Sequence, residues 1–379
     1  MKPNSISSRP QRLTLVISTL GGGGAERVLS MLANYWQRQG RAVTLITLGS
    51  ADSDFYKLDE AVARVALDAM RPSAGARDAL ANNLRRVSRL RKAIRNSNPD
   101  VVISFTDTTN ILVLLATRTL GIPVVVSERI DPRYHPIGRG WTAARRLTYR
   151  WASTLVVQTG AVREWAREIM PVTKVWVVPN PVVAPTTQIA ARVALPSPCV
   201  LAIGRLATQK GFDLLIRSFA QVAAVNPQWS LVIVGEGAER ENLVDLAKQL
   251  AISDRVQFPG RISEPGSILK QADMFVLSSR YEGFPNALLE AMSCGCAVIS
   301  FDCPSGPAEF IETGVNGILV PPEDVEKLGT SIGQLMNDSD LRKKLGSVAV
   351  EVKERYSLPA VAQQWDEVLA RVSRAGKSV

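Results

Sequence analysis

The 379-residue chain contains a single histidine, His135, and four cysteines, Cys199, Cys294, Cys296 and Cys303, all in its second half. No two cysteines have CxxC spacing and none has a histidine nearby. Neither a zinc site nor a disulfide framework is therefore expected, and the four read as reduced packing residues. Long apolar runs are missing as well. The best, ILVLLATRTLGIPVVV, is broken by Arg118, Gly121 and Pro123 and falls short of the roughly 18 apolar residues a spanning helix needs. The first twelve residues are polar, without the apolar stretch of a secretory signal, which points to the cytosol. Aromatic residues are few, at 6%, and no helix-turn-helix or RNP-like stretch occurs, so nucleic acid is not an expected partner. The glycine turn Gly21–Gly24 is incomplete as a dinucleotide fingerprint. In G-x-G-x-x-G the third glycine would fall at Glu26 or Arg27, which argues against a dehydrogenase.

What is present describes a folded α/β protein. Apolar residues make up 46% and charged residues 21%, enough for large cores. The length exceeds what one core usually supports, so two domains of about 150–200 residues are expected. The +10 net charge is one-sided: residues 1–180 hold 26 Lys and Arg against 13 Asp and Glu, the remainder 19 against 22. Such a field attracts phosphate-bearing partners.

Strand-like runs alternate with helical text throughout. LTLVIST leads through the glycine turn into a helix over 25–39; AVTLITL, VVISF, VVVS, TLVVQT and VWVVP follow. PNPVVAPTT, near residue 180, reads as a linker. A second series then begins with CVLAIG, SLVIVGEG, VQFPG, MFVLSS, CAVIS and GILV. Continuous β-branched runs between helices predict parallel sheets covered on both faces. Two doubly wound domains result, 1–182 and 183–357, with a last helix over 358–379 that could return to the first. In such sheets ligands bind beyond the carboxyl ends of the strands.

Two motifs stand at those ends in the second series. Arg280-Tyr-Glu-Gly-Phe-Pro-Asn-Ala-Leu-Leu-Glu290 follows MFVLSS, and Pro285 and Gly295 bracket a predicted helix of about three turns. Glu282 then lies before the helix and Glu290 within it, around a helix start suited to phosphate. Two isolated glutamates would more often be solvent-facing charges. However, Arg205 and Lys210, in the run GRLATQKG after CVLAIG, emerge at the same sheet edge and would stabilise a departing diphosphate. The triplets Asp52-Ser-Asp54 and Asp338-Ser-Asp340 sit in polar loop or cap contexts rather than as a metal site.

The succession GRLATQKG, VGEG, EGFPNALLE and SGPAEFI resembles the family 4 glycosyltransferases, and the amino half opens with the GGGGAERV turn common among them. The resemblance spans nearly the whole chain and implies the GT-B fold: two facing Rossmann-like domains with a central cleft, the first on the acceptor side and the second binding the donor. It implies transfer of a sugar, with retention, from a nucleotide diphosphate sugar, UDP-linked above all, with no metal or other cofactor. Carried over, Arg205 and Lys210 would hold the diphosphate and Glu290 the ribose. Glu282, as the catalytic carboxylate, would face the sugar together with Gly283, Phe284, Pro285 and Asn286. Arg261 and Ile262 would border the base. Gly22, Gly23 and Gly24 would line the acceptor side. The family often has a histidine near the sugar after the strand VVVS; here either Glu128, Arg129 and Asp131, which stand in that place, would take over its role on the acceptor side, or His135, a little beyond, would reach the cleft.

Two basic stretches bear on the acceptor. LRRVSRLRKAIR (84–95) puts Leu84, Val87, Leu90 or Arg91, and Ile94 on one helical face with Arg85, Arg86, Arg89, Lys92 and Arg95 largely around it, and RGWTAARRLTYRW (139–151) combines Arg145, Arg146 and Arg150 with Trp141 and Trp151. Both suit an anionic membrane surface. The similarity to enzymes of bacterial lipid-linked oligosaccharide and exopolysaccharide synthesis implies a glycan or polyprenyl-diphosphate-linked glycan as acceptor. The expected location is then the cytoplasm, peripheral on the cytosolic face of the inner membrane.

Overall fold

The computed structural model describes residues 10–182, 194–262 and 265–375. Most of the linker-like segment near 180 lies outside these residues. Two compact units are present. Unit 1 comprises the chain up to Pro181 together with the segment from Leu358, and unit 2 is Val182–Ser357.

Unit 1 contains, in order, β1 Arg12–Ile17, α1 Gly24–Arg38, β2 Ala42–Thr47, β3 Ala63–Ala66, α2 Ala76–Ser97, β4 Val101–Phe105, α3 Asp107–Thr117, β5 Val124–Ser127, α4 Arg139–Thr148, β6 Thr154–Val157, α5 Gly160–Ala166 and β7 Val175–Val177. Its sheet is parallel throughout, in the order β3-β2-β1-β4-β5-β6-β7. All five residues of β4 are buried, as the continuous run VVISF requires when helices cover both faces. β3 is absent from the sequence-based expectation. Its four residues, ARVA, form a half-exposed edge strand too short to carry a periodic signal.

Unit 2 contains β8 Cys199–Ile203, α6 Phe212–Ala223, β9 Ser230–Val234, α7 Arg240–Gln249, β10 Val256–Gly260, α8 Pro265–Leu269, β11 Met274–Leu277, α9 Asn286–Ser293, β12 Ala297–Phe301, β13 Ile318–Val320, α10 Val325–Asn337, α11 Ser339–Ala349 and α12 Val352–Arg355. Its parallel sheet runs β10-β9-β8-β11-β12-β13. The strand order reverses between β1 and β4 in one unit and between β8 and β11 in the other, which creates a ligand crevice at the carboxyl edge of each sheet. The four cysteines are free, and burial pushes the Cys199 and Cys294 thiols up to about 11.

The last helix, α13 (Leu358–Ala375), packs on unit 1. Val361, Ala362, Trp365, Val368 and Leu369 are fully buried in the same core as Leu13, Leu15 and Trp36. Trp365 stacks on Phe105 at 5.8 Å between ring centroids and meets Trp36 edge-on. Asp366 accepts from the Trp36 indole at 3.1 Å and pairs with buried Arg41 at 2.7 Å, which satisfies the charges that helix docking removes from water.

Candidate active site

In unit 2 the loops after β8 and β11 are laced together. Arg280 N–H donates to the Gln209 carbonyl at 2.8 Å, the Gln209 amide to the Tyr281 carbonyl at 3.0 Å, and Ser278 Oγ to the Lys210 carbonyl at 2.9 Å. Glycine permits this approach. Gly211 has φ +60°, and a Cβ there would stand 2.0 Å from the Ser278 carbonyl oxygen. Gly235 and Gly237, in the loop after β9, would meet the carbonyl oxygens of Gly204 and Leu206 at 1.8 and 2.2 Å. The three loops thus form one close-fitted edge at the switch point.

Lys210 and Glu282 meet on that edge at 2.6 Å, and Ser279 Oγ donates to the same carboxylate oxygen at 2.6 Å. Glu282 is buried, and its loop is anchored by its own N–H on the Pro304 carbonyl. Arg205, in the same loop after β8 as Lys210, is exposed and makes no ion pair among the described residues. Gly283 and Phe284 follow, the Phe284 ring packing edge-on against Phe310 at 5.2 Å. α9 begins at Asn286 with Pro285 as its N-cap and spans eight residues, two turns rather than the expected three. Gly295, at φ +75°, terminates it. Glu290 lies in this helix and is 9% exposed. After β10, Arg261 is exposed while Ile262 packs on the core that includes Phe284.

Arg280, the first residue of the motif, has a structural part that its sequence position does not reveal. It forks onto Asp213 of α6 at 2.8 and 2.9 Å and donates to the Thr208 carbonyl, fastening both loops to the helix behind them. Burial opposes ionisation of Asp213, but these hydrogen bonds outweigh it and hold the carboxyl below its usual range.

In unit 1 the carboxyl edge is framed by buried charges. Glu128 is fully buried: it accepts from the Tyr149 hydroxyl at 2.5 Å and pairs with Arg145 at 3.2 Å. Burial raises its pKa to about 7, against the pull of Arg145. Arg129 lies over the Phe105 ring and donates to Ser127 and Asn180; burial lowers it to about 9. Asp131 is buried under the fork of Arg133. These three residues are thus turned inward, whereas His135 is half exposed, 3.7 Å from Asp107 at the start of α3. Asp107, also 3.7 Å from Arg145, links His135 to the Glu128 cluster and escaped sequence reasoning because nothing in its local text marks it. At the glycine turn, Gly22 and Gly24 are exposed and Gly23 is the N-cap of α1. Glu26 folds back over Gly23, and burial raises its pKa.

The two basic stretches differ from their expected pattern. On α2, Leu84 is exposed while Leu90 and Ile94 are buried. Arg86, Arg89 and Arg91 donate to carbonyls of Ala69, Leu67 and Ala116, so part of the charge of this helix fastens neighbouring segments. Trp141 and Trp151 are partly buried against the unit 1 core. Of the Asp triplets, Asp54 pairs with Arg64 and Asp338 caps α11. No cluster of three or more potential metal ligands occurs among the described residues.

The chain matches two family models, "Glycosyl transferase 4-like domain" over residues 23–181 and "Glycosyl transferases group 1" over 188–351. It is 28% identical to a Campylobacter jejuni alpha-1,4-N-acetyl-D-galactosaminyltransferase named for a diNAcBac-PP-undecaprenol-linked glycan, over 96% of this chain and 99% of that one. It is 25% identical to an amylovoran biosynthesis glycosyltransferase of Erwinia amylovora, over 94% and 99% of the two chains. Among solved structures, sucrose-phosphate synthase of Thermosynechococcus elongatus superposes with a TM-score of 0.83 at 20% identity, covering 96% of this chain and all of that one. Anabaena HepE in complex with UDP and glucose gives 0.78 at 18% identity, over 95% and 99%. Two Rossmann-like parallel sheets, family matches over both halves and similarity along the full length of named transferases agree: the protein belongs to the family 4 glycosyltransferases, with the GT-B fold.

Proposed function

We propose that this glycosyltransferase moves an N-acetylhexosamine or hexose from a UDP-linked donor to a glycan carried on a polyprenyl diphosphate, with retention at the anomeric carbon and without a metal. The observation that carries the donor side is the Lys210–Glu282 pair at the unit 2 switch point, with exposed Arg205 in the same loop as Lys210 and Glu290 in the helix that follows Glu282. Arg205 and Lys210 neutralise the departing diphosphate, the role a metal plays elsewhere. Glu290 takes the ribose hydroxyls and Arg261 and Ile262 border the base. Glu282, with Gly283, Phe284, Pro285 and Asn286, orients the sugar. Held by Lys210 and Ser279, Glu282 is suited to positioning rather than attack, and the leaving phosphate takes the proton of the acceptor hydroxyl.

UDP is the first donor to test, because HepE, whose fold this chain shares, was solved with it. The carrier-linked acceptor is supported by the undecaprenol-linked glycan for which the Campylobacter relative is named. The basic excess of residues 1–180 supports a peripheral position on anionic membrane. No described helix is long and apolar enough to cross one. A pool of nucleotide sugars, assayed for slow hydrolysis without acceptor alongside melting temperatures, tests the reading. Release of UDP and a higher Tm with UDP are expected; stabilisation by RNA and not by any nucleoside diphosphate would refute it.

A further inference from the structure

α4 has an outer face that the donor chemistry does not use. Its inner face packs Trp141 and Ala144 on the unit 1 core and sends Arg145 to Glu128. Outward stand Arg139, Thr142, Ala143, Arg146 and Leu147, and Arg150 in the 3-10 turn Tyr149–Trp151 that directly follows continues the same stripe. With the preceding loop, this stripe lines a groove of about 620 Å³. Its three arginines are exposed, no acidic residue lines it, and none of the three is in an ion pair among the described residues. Arg146 and Arg150, one turn apart, repel each other unless an anion lies between them. Leu147, 54% exposed, and Ala143 supply an apolar floor.

The groove starts at Pro136, beside His135, which reaches Asp107 at the carboxyl edge of the sheet. Arg146 is seven residues beyond Arg139, about 10 Å along the helix axis at roughly 1.5 Å per residue. We infer that this groove binds the diphosphate of a lipid-linked acceptor, with Arg146 and Arg150 forking onto the phosphates and the glycan running back toward His135. Guanidinium groups suit phosphate because their planar fork matches its oxygens. Apolar side chains among the arginines suit the start of an isoprenoid chain. The inference rests on the carrier-linked acceptor proposed above.

The test uses the full-length protein and geranylgeranyl diphosphate in neutral detergent micelles, with geranylgeraniol as the uncharged control and phosphatidylglycerol vesicles as a membrane control. The wild type should bind the diphosphate and not the alcohol. Arg146→Ala/Arg150→Ala should bind it at least about 10-fold more weakly, the loss expected for two charge-assisted contacts. Arg146→Lys/Arg150→Lys should keep part of the affinity, and the rise in Tm caused by UDP should be unchanged in both. Absence of wild-type binding, alanine-variant binding within twofold of wild type, or an equal loss on phosphatidylglycerol vesicles would overturn the inference, the last by making the groove a general membrane face. If UDP fails to stabilise the wild type, the donor reading falls instead, whatever the groove binds.

Discussion

Lys210 Nζ lies 2.6 Å from the Glu282 carboxylate, so a cation from the loop after β8 and an anion from the loop after β11 neutralise each other across the unit 2 switch point. The pair holds Lys210 in place before any diphosphate arrives, which reduces the reorganisation needed at the moment of bond breaking. It also makes each residue dependent on the other. Lys210→Met should lower kcat by about 100-fold, the order expected for removing one preorganised donor. It should also leave Glu282 buried with Ser279 as its remaining partner, lowering stability by about 1–3 kcal/mol. Steady-state kinetics and urea unfolding measure the two effects, and loss of stability with full kcat would remove Lys210 from the chemistry.

Glu282 and Glu290 should separate in their kinetic effects. Glu290→Ala removes a contact made equally in the bound and transition states, so KM for the donor should rise by about 10-fold with kcat nearly kept. Glu282→Ala alters the sugar's orientation and frees Lys210, so kcat should fall by about 100-fold or more. Equal and small losses from both would refute the division of labour.

The sheet strands were legible because buried parallel strands are continuous apolar runs; VVISF could be nothing else in this context. β3 was not, since four half-exposed edge residues leave no pattern. α9 came out shorter than expected because the chain over 283–285 stays irregular, with Pro285 serving as N-cap rather than as a first-turn residue. The sequence could bring Lys210 and Glu282 to the same edge, but direct contact between residues 72 apart depends on how closely the loops pack, which Gly211 and Gly235 decide. Glu128 and Asp131 stand where the resemblance puts a histidine near the sugar, yet their partners Tyr149, Arg145 and Arg133 draw them inside. Hydrophobic periodicity carries no information on such pairings.

Gly211→Ala tests whether loop contact sets the site. Its Cβ would meet the Ser278 carbonyl oxygen at 2.0 Å, at a residue whose φ of +60° already disfavours any side chain. The two loops must then part, breaking the Ser278–Lys210 hydrogen bond. Destabilisation of about 1–3 kcal/mol is expected, together with weakened UDP binding by calorimetry. An alanine variant with unchanged UDP affinity would mean that the edge tolerates separation and that Lys210 needs no such anchoring.

Glu128 predicts a pH dependence whose sign follows from burial. Its carboxyl titrates near 4.5 when unfolded and at about 7 in the folded protein, because burial outweighs the attraction of Arg145. Below pH 4.5 both states hold the proton and the residue contributes nothing to pH dependence. Between 4.5 and 7 the unfolded chain releases the proton first, so this group lowers stability as pH rises, by about 3 kcal/mol in full. Glu128→Gln lacks that proton. Its stability relative to wild type should therefore become more favourable from pH 5 to pH 8, on top of whatever pH-independent offset the changed hydrogen bonding adds. Six of the seven tryptophans belong to unit 1, so tryptophan fluorescence in urea reports the relevant transition. Parallel stability curves for the two proteins would show that Glu128 is ionised throughout and that Arg145 and Tyr149 compensate its burial.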